Sequence, residues 1–403
     1  MRAALKIEKL VFGGDGLARH GSRSVFVPFV LPGEHVEAEI SASRGRVLRG
    51  SEVQVVRRSS ERAQPPCPYF SQCGGCHYQH MVPAAAGAHK VEILRETLDR
   101  IGRVEWDGPV PVIEAEPFGY RNRTQLHVLH RGRTARLGFH AARSHRVVAA
   151  DACAINSPKL NAVQHLLQGM ASARRFPRSL RVIEIFSDEE HVQLNLPRRS
   201  GPLPSRFWRR CEAELGVGRP GIPLDYRCGD DIFRVSGRSF FQVNRHLVTD
   251  LGSVAAAGVG GKLAIDLYAG VGLLTLPLAR RFEEVLAVDS SNAAMRDLRF
   301  NARRAGVKVR AVQMNVEAFL EGYSRRPDLI VADPPRTGLG TRVVKHIVRL
   351  APARIQLLSC DPATLARDLS GLAAHGYALT ALTLVDLFPQ TYHIETLASL
   401  HRS

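Results

Sequence analysis

The stretch KLAIDLYAGVGLLTLPLARRFEEVLAVDS (262–290) decides the fold of the C-terminal half. It passes from an aliphatic, strand-like run through a glycine turn into a helical segment, then into a second strand ending at Asp289. The pattern recurs in KVRAVQMN (308–315), LIVADPP (329–335) and IQLLSCD (355–361). NAAMRDLRFNARRAG (292–306) and TRVVKHIVRLA (341–351) lie between strand-like runs, with apolar residues at helical spacing. Alternation of this kind implies a doubly wound, mostly parallel α/β sheet with ligands at the strand ends. The chain closes with ALTALTLVDLF (378–388) and IETLASL (394–400), expected to form an antiparallel pair.

Working outward, residues 1–60 alternate apolar and polar side chains, with turns at GGDG (13–16) and LPGE (31–34). Short strands such as SVFVPFV (24–30) and HVEAEI (35–40) predict a five-stranded OB-type barrel. A central region, 61–230, begins where RSSERAQPPCPYFSQCGGCHYQH (58–80) breaks the alternation. It is expected to hold a helix over 91–102, strands at TQLHVLH (124–130) and LRVIEIFS (180–187), and loops at 199–208 and 216–225. The α/β domain then occupies 231–403.

The 403 residues include 55 Lys and Arg against 38 Asp and Glu, a net charge of +17. Such an excess favours a polyanionic partner, with nucleic acid expected. Compositional drift accounts for Arg outnumbering Lys but not for so few acids. With no apolar run of 18 residues, no transmembrane helix is expected; the N-terminus lacks a signal-peptide pattern, and a cytoplasmic location is expected.

Seven cysteines in such a chain argue against a disulfide framework. Cys67, Cys73 and Cys76 form C-x5-C-x2-C, and Cys153 follows in ADACAIN (150–156). Gly74 and Gly75 allow the tight turn that would aim two thiolates at one centre. The four thiolates suit an iron–sulfur cluster or structural zinc, and His77 or His80 could replace the distant cysteine. Cys211 and Cys228 read as structural.

In DLYAGVG (266–272), Gly270 and Gly272 permit close backbone approach of a ligand. The spacing D-x-x-x-G-x-G departs from the dinucleotide fingerprint and is common where S-adenosylmethionine binds. Asp289 stands where a carboxylate can accept from ribose hydroxyls. Asn315 can reach an adenine edge or cap a helix.

LLSCDPATLARDL (357–369) places Cys360 at the end of an apolar strand and before a helix that Pro362 can start. That helix N-terminus is expected to favour a thiolate. A thiolate adding to carbon 6 of a pyrimidine makes carbon 5 nucleophilic towards a methyl donor. The carbon 5 proton must then leave, and Glu395, between apolar neighbours in TYHIETL (391–397), is the candidate base; His393 is its rival. Asp333 in ADPPRTGL (332–339) can bind cofactor or the uracil edge, and Phe240 and Gln242 in RSFFQVN (238–244) can pack on a base and contact cofactor.

Together these motifs resemble the S-adenosylmethionine-dependent RNA uracil-5-methyltransferases, especially the 23S rRNA members, over nearly the whole chain. The resemblance implies a TRAM-type OB barrel at the N-terminus and a [4Fe-4S] cluster held by Cys67, Cys73, Cys76 and Cys153. It also implies a Rossmann-like class I methyltransferase domain, with Cys360 as nucleophile and Glu395 as general base. Gln242, Tyr268, Asp289 and Asp333 map onto cofactor contacts. Leu273 and Asp361 depart from the Asn found at their positions in some members. The tRNA-specific relatives generally lack barrel and cluster, so 23S rRNA is the expected substrate, with a flipped-out target uridine. Rival readings are a tRNA uridine or RNA cytosine methyltransferase and a non-catalytic RNA-binding or ribosome-assembly protein. The cluster is expected to be structural or RNA-positioning, and the chain to act as a monomer.

Overall fold

Alternating burial along the first 57 residues closes five strands into a barrel. In this computed structural model, residues 1–42, 47–173, 176–199, 201–217 and 219–403 are described. The chain divides into two compact units: Met1–Glu96 with Phe139–Val148 and Phe388–His393, and Thr97–Gly138 with Ala149–Leu387 and Ile394–Ser403.

In the first unit, β1 (Arg2–Leu10), β2 (Asp15–His20), β3 (Arg23–Pro28), β4 (His35–Ala42) and β5 (Leu48–Arg57) form a closed barrel. Its order is β1-β2-β3-β5-β4, with β4 returning antiparallel to β1 and β3 parallel to β5. The inward positions, among them Leu5, Ile7, Val25, Val27, Val36 and Ile40, make its core. Gly16 is required there, since a Cβ would lie 2.5 Å from Val30 Cγ2. The LPGE turn is fixed by Glu34, which is fully buried. Its Oε2 accepts from Leu31 N (2.8 Å) and Arg62 Nη2 (2.7 Å), and its Oε1 from Ser59 N (3.2 Å) and Arg62 Nε (2.5 Å).

Helix α1 (Pro83–Thr97) starts eight residues before the helix expected from sequence, because Pro83 and three alanines make a good first turn. The expected C-terminal end, Leu98–Gly102, is a π-helical turn. Gly102 allows this turn to press on a later helix: a Cβ would sit 2.5 Å from the Ala366 carbonyl oxygen.

Beyond α1 come a short strand, β6 (Val112–Ile113), and then β7 (Arg123–Arg131), β8 (Thr134–His140), β9 (Val147–Ala149), α2 (Pro158–Ser172), β10 (Leu180–Ser187) and β11 (Val192–Arg199). The sheet order is β11-β10-β7-β8-β9. The loop expected over 199–208 is in part a helix, α3 (Ser205–Leu215), which buries Phe207 and Cys211 one turn apart. Ser200 and Gly218, within the two expected loops, lie outside the described residues. A hairpin of β12 (Leu224–Cys228) and β13 (Asp231–Val235) and helix α4 (Val248–Ala255) lead into the α/β part.

There the elements are β14 (Gly261–Leu267), α5 (Thr275–Ala279), β15 (Phe282–Asp289), α6 (Asn292–Arg304), β16 (Arg310–Gln313), α7 (Val316–Gly322), β17 (Leu329–Ala332), α8 (Gly340–Leu350), β18 (Arg354–Ser359), α9 (Pro362–Ala373), β19 (Tyr377–Val385) and β20 (Glu395–Arg402). The sheet runs β16-β15-β14-β17-β18-β20-β19-β6. β14 to β18 are parallel, and β20 is antiparallel to both β18 and β19, as the terminal sequence pattern predicts. The order reverses beside β14, so the switch point falls where β14 and β17 end. No helix of the described residues is long and apolar enough to cross a membrane.

Candidate active site

Two neighbouring strands bring together the two candidate catalytic residues. In the β18–β20 ladder Ser359 pairs with Thr396, so one further step brings Cys360 alongside Glu395. Glu395 is buried, and its Oε1 has no hydrogen-bond partner among the described residues. Burial first, and then the Asp333 carboxylate, push its carboxyl well above the usual range, while Arg336 opposes them. Asp333, at the end of β17, is pushed upward by desolvation.

The expectation that the α9 N-terminus favours a Cys360 thiolate is corrected. Burial and the Glu395 carboxylate push the thiol up to about 11, against the opposing charge of Arg336. The helix amides are occupied elsewhere: Asp361 is the N-cap, and its Oδ1 accepts from Ala363 N (2.9 Å) and Thr364 N (3.0 Å). The residue that departs from the family pattern thus takes up the donors that would have stabilised the sulfur.

A narrow cleft of about 40 Å³ lies at the switch point, lined by Phe240, Gln242, Asp266, Tyr268, Gly270, Leu273 and Asp333, among others. Its glycine loop is held by Asp289, whose Oδ2 accepts from Gly270 N (3.0 Å) and whose Oδ1 accepts from Ser291 N (2.7 Å). Gly270 and Gly272 have φ of +54° and +97°, which suits glycine, but so does Tyr268 at +62°. A tyrosine held left-handed at a strand tip is stored strain of the kind that collects at binding sites. Asp266 is fully buried; its Oδ2 accepts from Thr275 Oγ1 (2.5 Å), and its Oδ1 has no partner among the described residues. Burial drives this carboxyl up to about 7, and Asp333 and Asp289 add to the rise. Asn315 caps α7 through Oδ1, which accepts from Glu317 N and Ala318 N, leaving only Nδ2 for a ligand.

The segment bearing Phe240 and Gln242 is fastened from two sides. Asp297 on α6 accepts from Ser236 N (2.8 Å), Ser236 Oγ (2.7 Å) and Ser239 Oγ (2.6 Å). Asn122 Nδ2 donates to the Gln242 carbonyl (3.0 Å), and Arg123 Nη1 donates to the Ser239 carbonyl (3.1 Å) while its guanidinium lies over Phe186. Gln242 is buried in the cleft, whereas Phe240 is 62% exposed, an unusual position for a phenyl ring without a partner surface. Sequence reasoning missed Asp266, Asp297, Asn122, Arg123 and Arg336. Asp266 opens the glycine motif and Arg336 follows the Asp-Pro-Pro turn, so both were visible as motif members; the others act through contacts between distant segments.

Cys67, Cys73 and Cys76 belong to the first unit and Cys153 to the second. All four are half-buried, and Gly75 N donates to Cys73 Sγ (3.4 Å). Among the described residues no group of three or more His, Cys, Asp or Glu is arranged to hold a metal ion, so the donor chemistry fits a cluster but its gathering is not seen. His77 and His80, the alternative zinc ligands, are both driven down to about 4 by burial and are neutral. His393 sits against the rings of Tyr392 (4.5 Å) and Phe388 (5.4 Å).

A class I methyltransferase sheet with a five-stranded barrel ahead of it, and a cysteine beside a buried acid at the strand ends, defines an RNA-modifying methyltransferase. The profile described as tRNA (Uracil-5-)-methyltransferase matches residues 229–403, and that of the TRAM domain matches 4–53. Among similar proteins, the 23S rRNA (uracil(1939)-C(5))-methyltransferase RlmD of Pseudomonas putida is 31% identical over 98% of this chain and 92% of its own length. The protein of the same description from Thiobacillus denitrificans is 31% identical over 100% of both chains. An uncharacterized RNA methyltransferase of Thermosynechococcus vestitus is 30% identical over 99% of this chain and 98% of its own. The crystal structure of Pyrococcus abyssi tRNA (uracil-54, C5)-methyltransferase with S-adenosyl-L-homocysteine covers 99% of this chain and 100% of its own, at 25% identity and a TM-score of 0.76. The chain belongs to the RNA uracil-C5-methyltransferase family, S-adenosylmethionine-dependent enzymes that methylate uracil carbon 5 in RNA.

Proposed function

We propose that this enzyme methylates carbon 5 of a uridine in 23S rRNA, equivalent to the nucleotide in the names of its Pseudomonas and Thiobacillus relatives, through a covalent Cys360–uracil intermediate. The observation that carries the reading is the juxtaposition of Cys360 and Glu395 at the strand ends beside the glycine-loop cleft. S-adenosylmethionine supplies the methyl group. Gln242, Tyr268, Gly270, Gly272, Asp289, Asn315 through its amide nitrogen, and Asp333 hold the donor, and Phe240 stacks on the flipped base.

The Cys360 thiol gives up its proton to water as its sulfur bonds to carbon 6, moving an electron pair onto carbon 5. Carbon 5 takes the methyl and retains its hydrogen. Glu395 then removes that proton, and the returning electron pair breaks the carbon–sulfur bond, restoring the double bond and the thiolate. Arg336 lowers the cost of negative charge on the sulfur. The free thiol is held high by burial and by carboxylates, so its activation draws on the opposing charge of Arg336.

We also propose a [4Fe-4S] cluster on Cys67, Cys73, Cys76 and Cys153, supported by thiol spacing, the Gly74–Gly75 turn and the amide donated to Cys73 Sγ. It takes no part in methyl transfer. Iron and acid-labile sulfide in anaerobically purified protein, lost on Cys73→Ser, test it; zinc in their place contradicts it. The three-part division at about residues 60 and 230 belongs to the same reading, as do a monomeric enzyme and a cytoplasmic location.

The substrate is tested by mass mapping of rRNA and tRNA from cells lacking the gene. Loss of one 5-methyluridine in 23S rRNA is expected. Its loss from tRNA instead would establish the second reading, favoured by the Pyrococcus structure.

A further inference from the structure

Asp368 lies outside every position given a chemical role, yet it is a buried carboxylate. It sits on α9, the helix that begins next to Cys360. Its Oδ2 accepts from Leu339 N (2.7 Å) and its Oδ1 from Gly340 N (3.1 Å). Both amides stand where the loop that leaves β17 through Asp333, Pro334, Pro335 and Arg336 enters α8: Leu339 is the N-cap and Gly340 the first helical residue. Gly338, between Arg336 and those amides, has φ +75°. A Cβ there would lie 2.5 Å from Asp368 Oδ2 and 3.0 Å from Thr364 Cβ, so the loop is drawn against the first turns of α9 with no space left. The charge of Arg336 is felt by both Cys360 and Glu395. Asp368 is also near enough to act on the Tyr268 hydroxyl. Asp368 thereby takes up the free amides at the start of α8 and ties that end of the loop to α9.

We infer that Asp368 is a positioning residue that clamps the 336–340 loop to the nucleophile's helix and so sets the guanidinium of Arg336 beside Cys360 and Glu395. The inference rests on the covalent mechanism proposed above. Without the clamp the loop keeps its sequence but loses its register on α9. A misplacement of about 1 Å at such a site costs on the order of 100-fold in rate. Asn retains one carbonyl acceptor of the two and is expected to recover part of that loss.

The test is the rate of covalent adduct formation with a 5-fluorouridine-containing RNA, measured for wild type, Asp368→Ala, Asp368→Asn, Arg336→Ala and the Asp368→Ala/Arg336→Ala double variant. A wild-type adduct through Cys360 first secures the mechanism independently. Asp368→Ala is then expected to slow adduct formation about 100-fold, with RNA affinity within about threefold, and Asp368→Asn to fall between. The double variant is expected to be no slower than Arg336→Ala alone, because both changes remove one effect. Gly338→Ala, which displaces the loop from the other side, gives the same phenotype and serves if Asp368→Ala does not fold. Wild-type adduct rates in folded Asp368→Ala or Gly338→Ala would overturn the inference. So would fully multiplicative losses in the double variant.

Discussion

Glu34 in the barrel and Glu395 in the methyltransferase sheet are both buried glutamates, and they are treated in opposite ways. Burial alone would raise Glu34, but the Arg62 guanidinium and the amides of Leu31 and Ser59 outweigh it and hold its carboxyl below the ordinary value. Glu395 has Oε1 without a partner, and its carboxyl is pushed up. Asp266 repeats the Glu395 pattern. The barrel places its buried charge where every lone pair has work within the fold. The catalytic end leaves acceptors unpaired, a cost in stability that a fold tolerates when a ligand completes the site.

The largest contrast is in chemistry. Cys360→Ala is expected to cost on the order of 10⁴-fold or more in methyl transfer, since it removes the proposed nucleophile. Glu395→Gln is expected to stop turnover at the methylated adduct, seen as accumulation of an RNA-linked protein on denaturing gels. Glu34→Gln, by contrast, should leave kcat per folded molecule unchanged. A turnover defect in folded Glu34→Gln would erase the distinction.

In stability the order reverses. Breaking the Glu34–Arg62 pair leaves a guanidinium without its carboxylate and is expected to cost about 3 kcal/mol, read by chemical denaturation. Glu395→Gln removes an uncompensated acid and is expected to stabilise the protein by about 1 kcal/mol near neutral pH. The pH signs follow. Glu34, lowered in the folded state, contributes stability above its unfolded value near 4.5 that is lost as pH falls through its folded value. Glu395, raised in the folded state, has the reverse effect: stability is lost as pH rises from about 4.5 through its folded value, and Glu395→Gln should flatten that decline. A variant with the wild-type slope over that window would contradict the assignment.

The contrast also marks what could be read from the sequence. The sheet, the barrel, Cys360 and Glu395 were legible because each depends on periodicity or a strand end within a few residues. The switch point was not, since it lies in the spatial order β16-β15-β14-β17-β18 and not in the chain order. The start of α3 was hidden by Pro202 and Pro204, which read as a loop although the second is the helix N-cap. The raised Cys360 thiol was not legible, because Asp361 can cap α9 or leave its amides to the sulfur, and only geometry decides. Tyr268 shows nothing in its composition of a positive φ. Asp297 holds Ser236 across 61 positions, and no local pattern records that bond.

The smallest expected effects are at caps. Asn315→Ala removes the α7 cap and should cost about 1 kcal/mol in stability. Weaker S-adenosylmethionine binding with that change would add a ligand role for its amide nitrogen. Unaltered donor affinity would confine Asn315 to capping and keep it on the structural side of the comparison.

The most direct test of the account is peptide mapping of the protein after reaction with 5-fluorouridine-substituted 23S rRNA fragment and S-adenosylmethionine. A nucleotide linked to the peptide containing Cys360, carrying one added methyl group, is the expected result. No adduct on an RNA that the enzyme methylates, or an adduct through another residue, would contradict it.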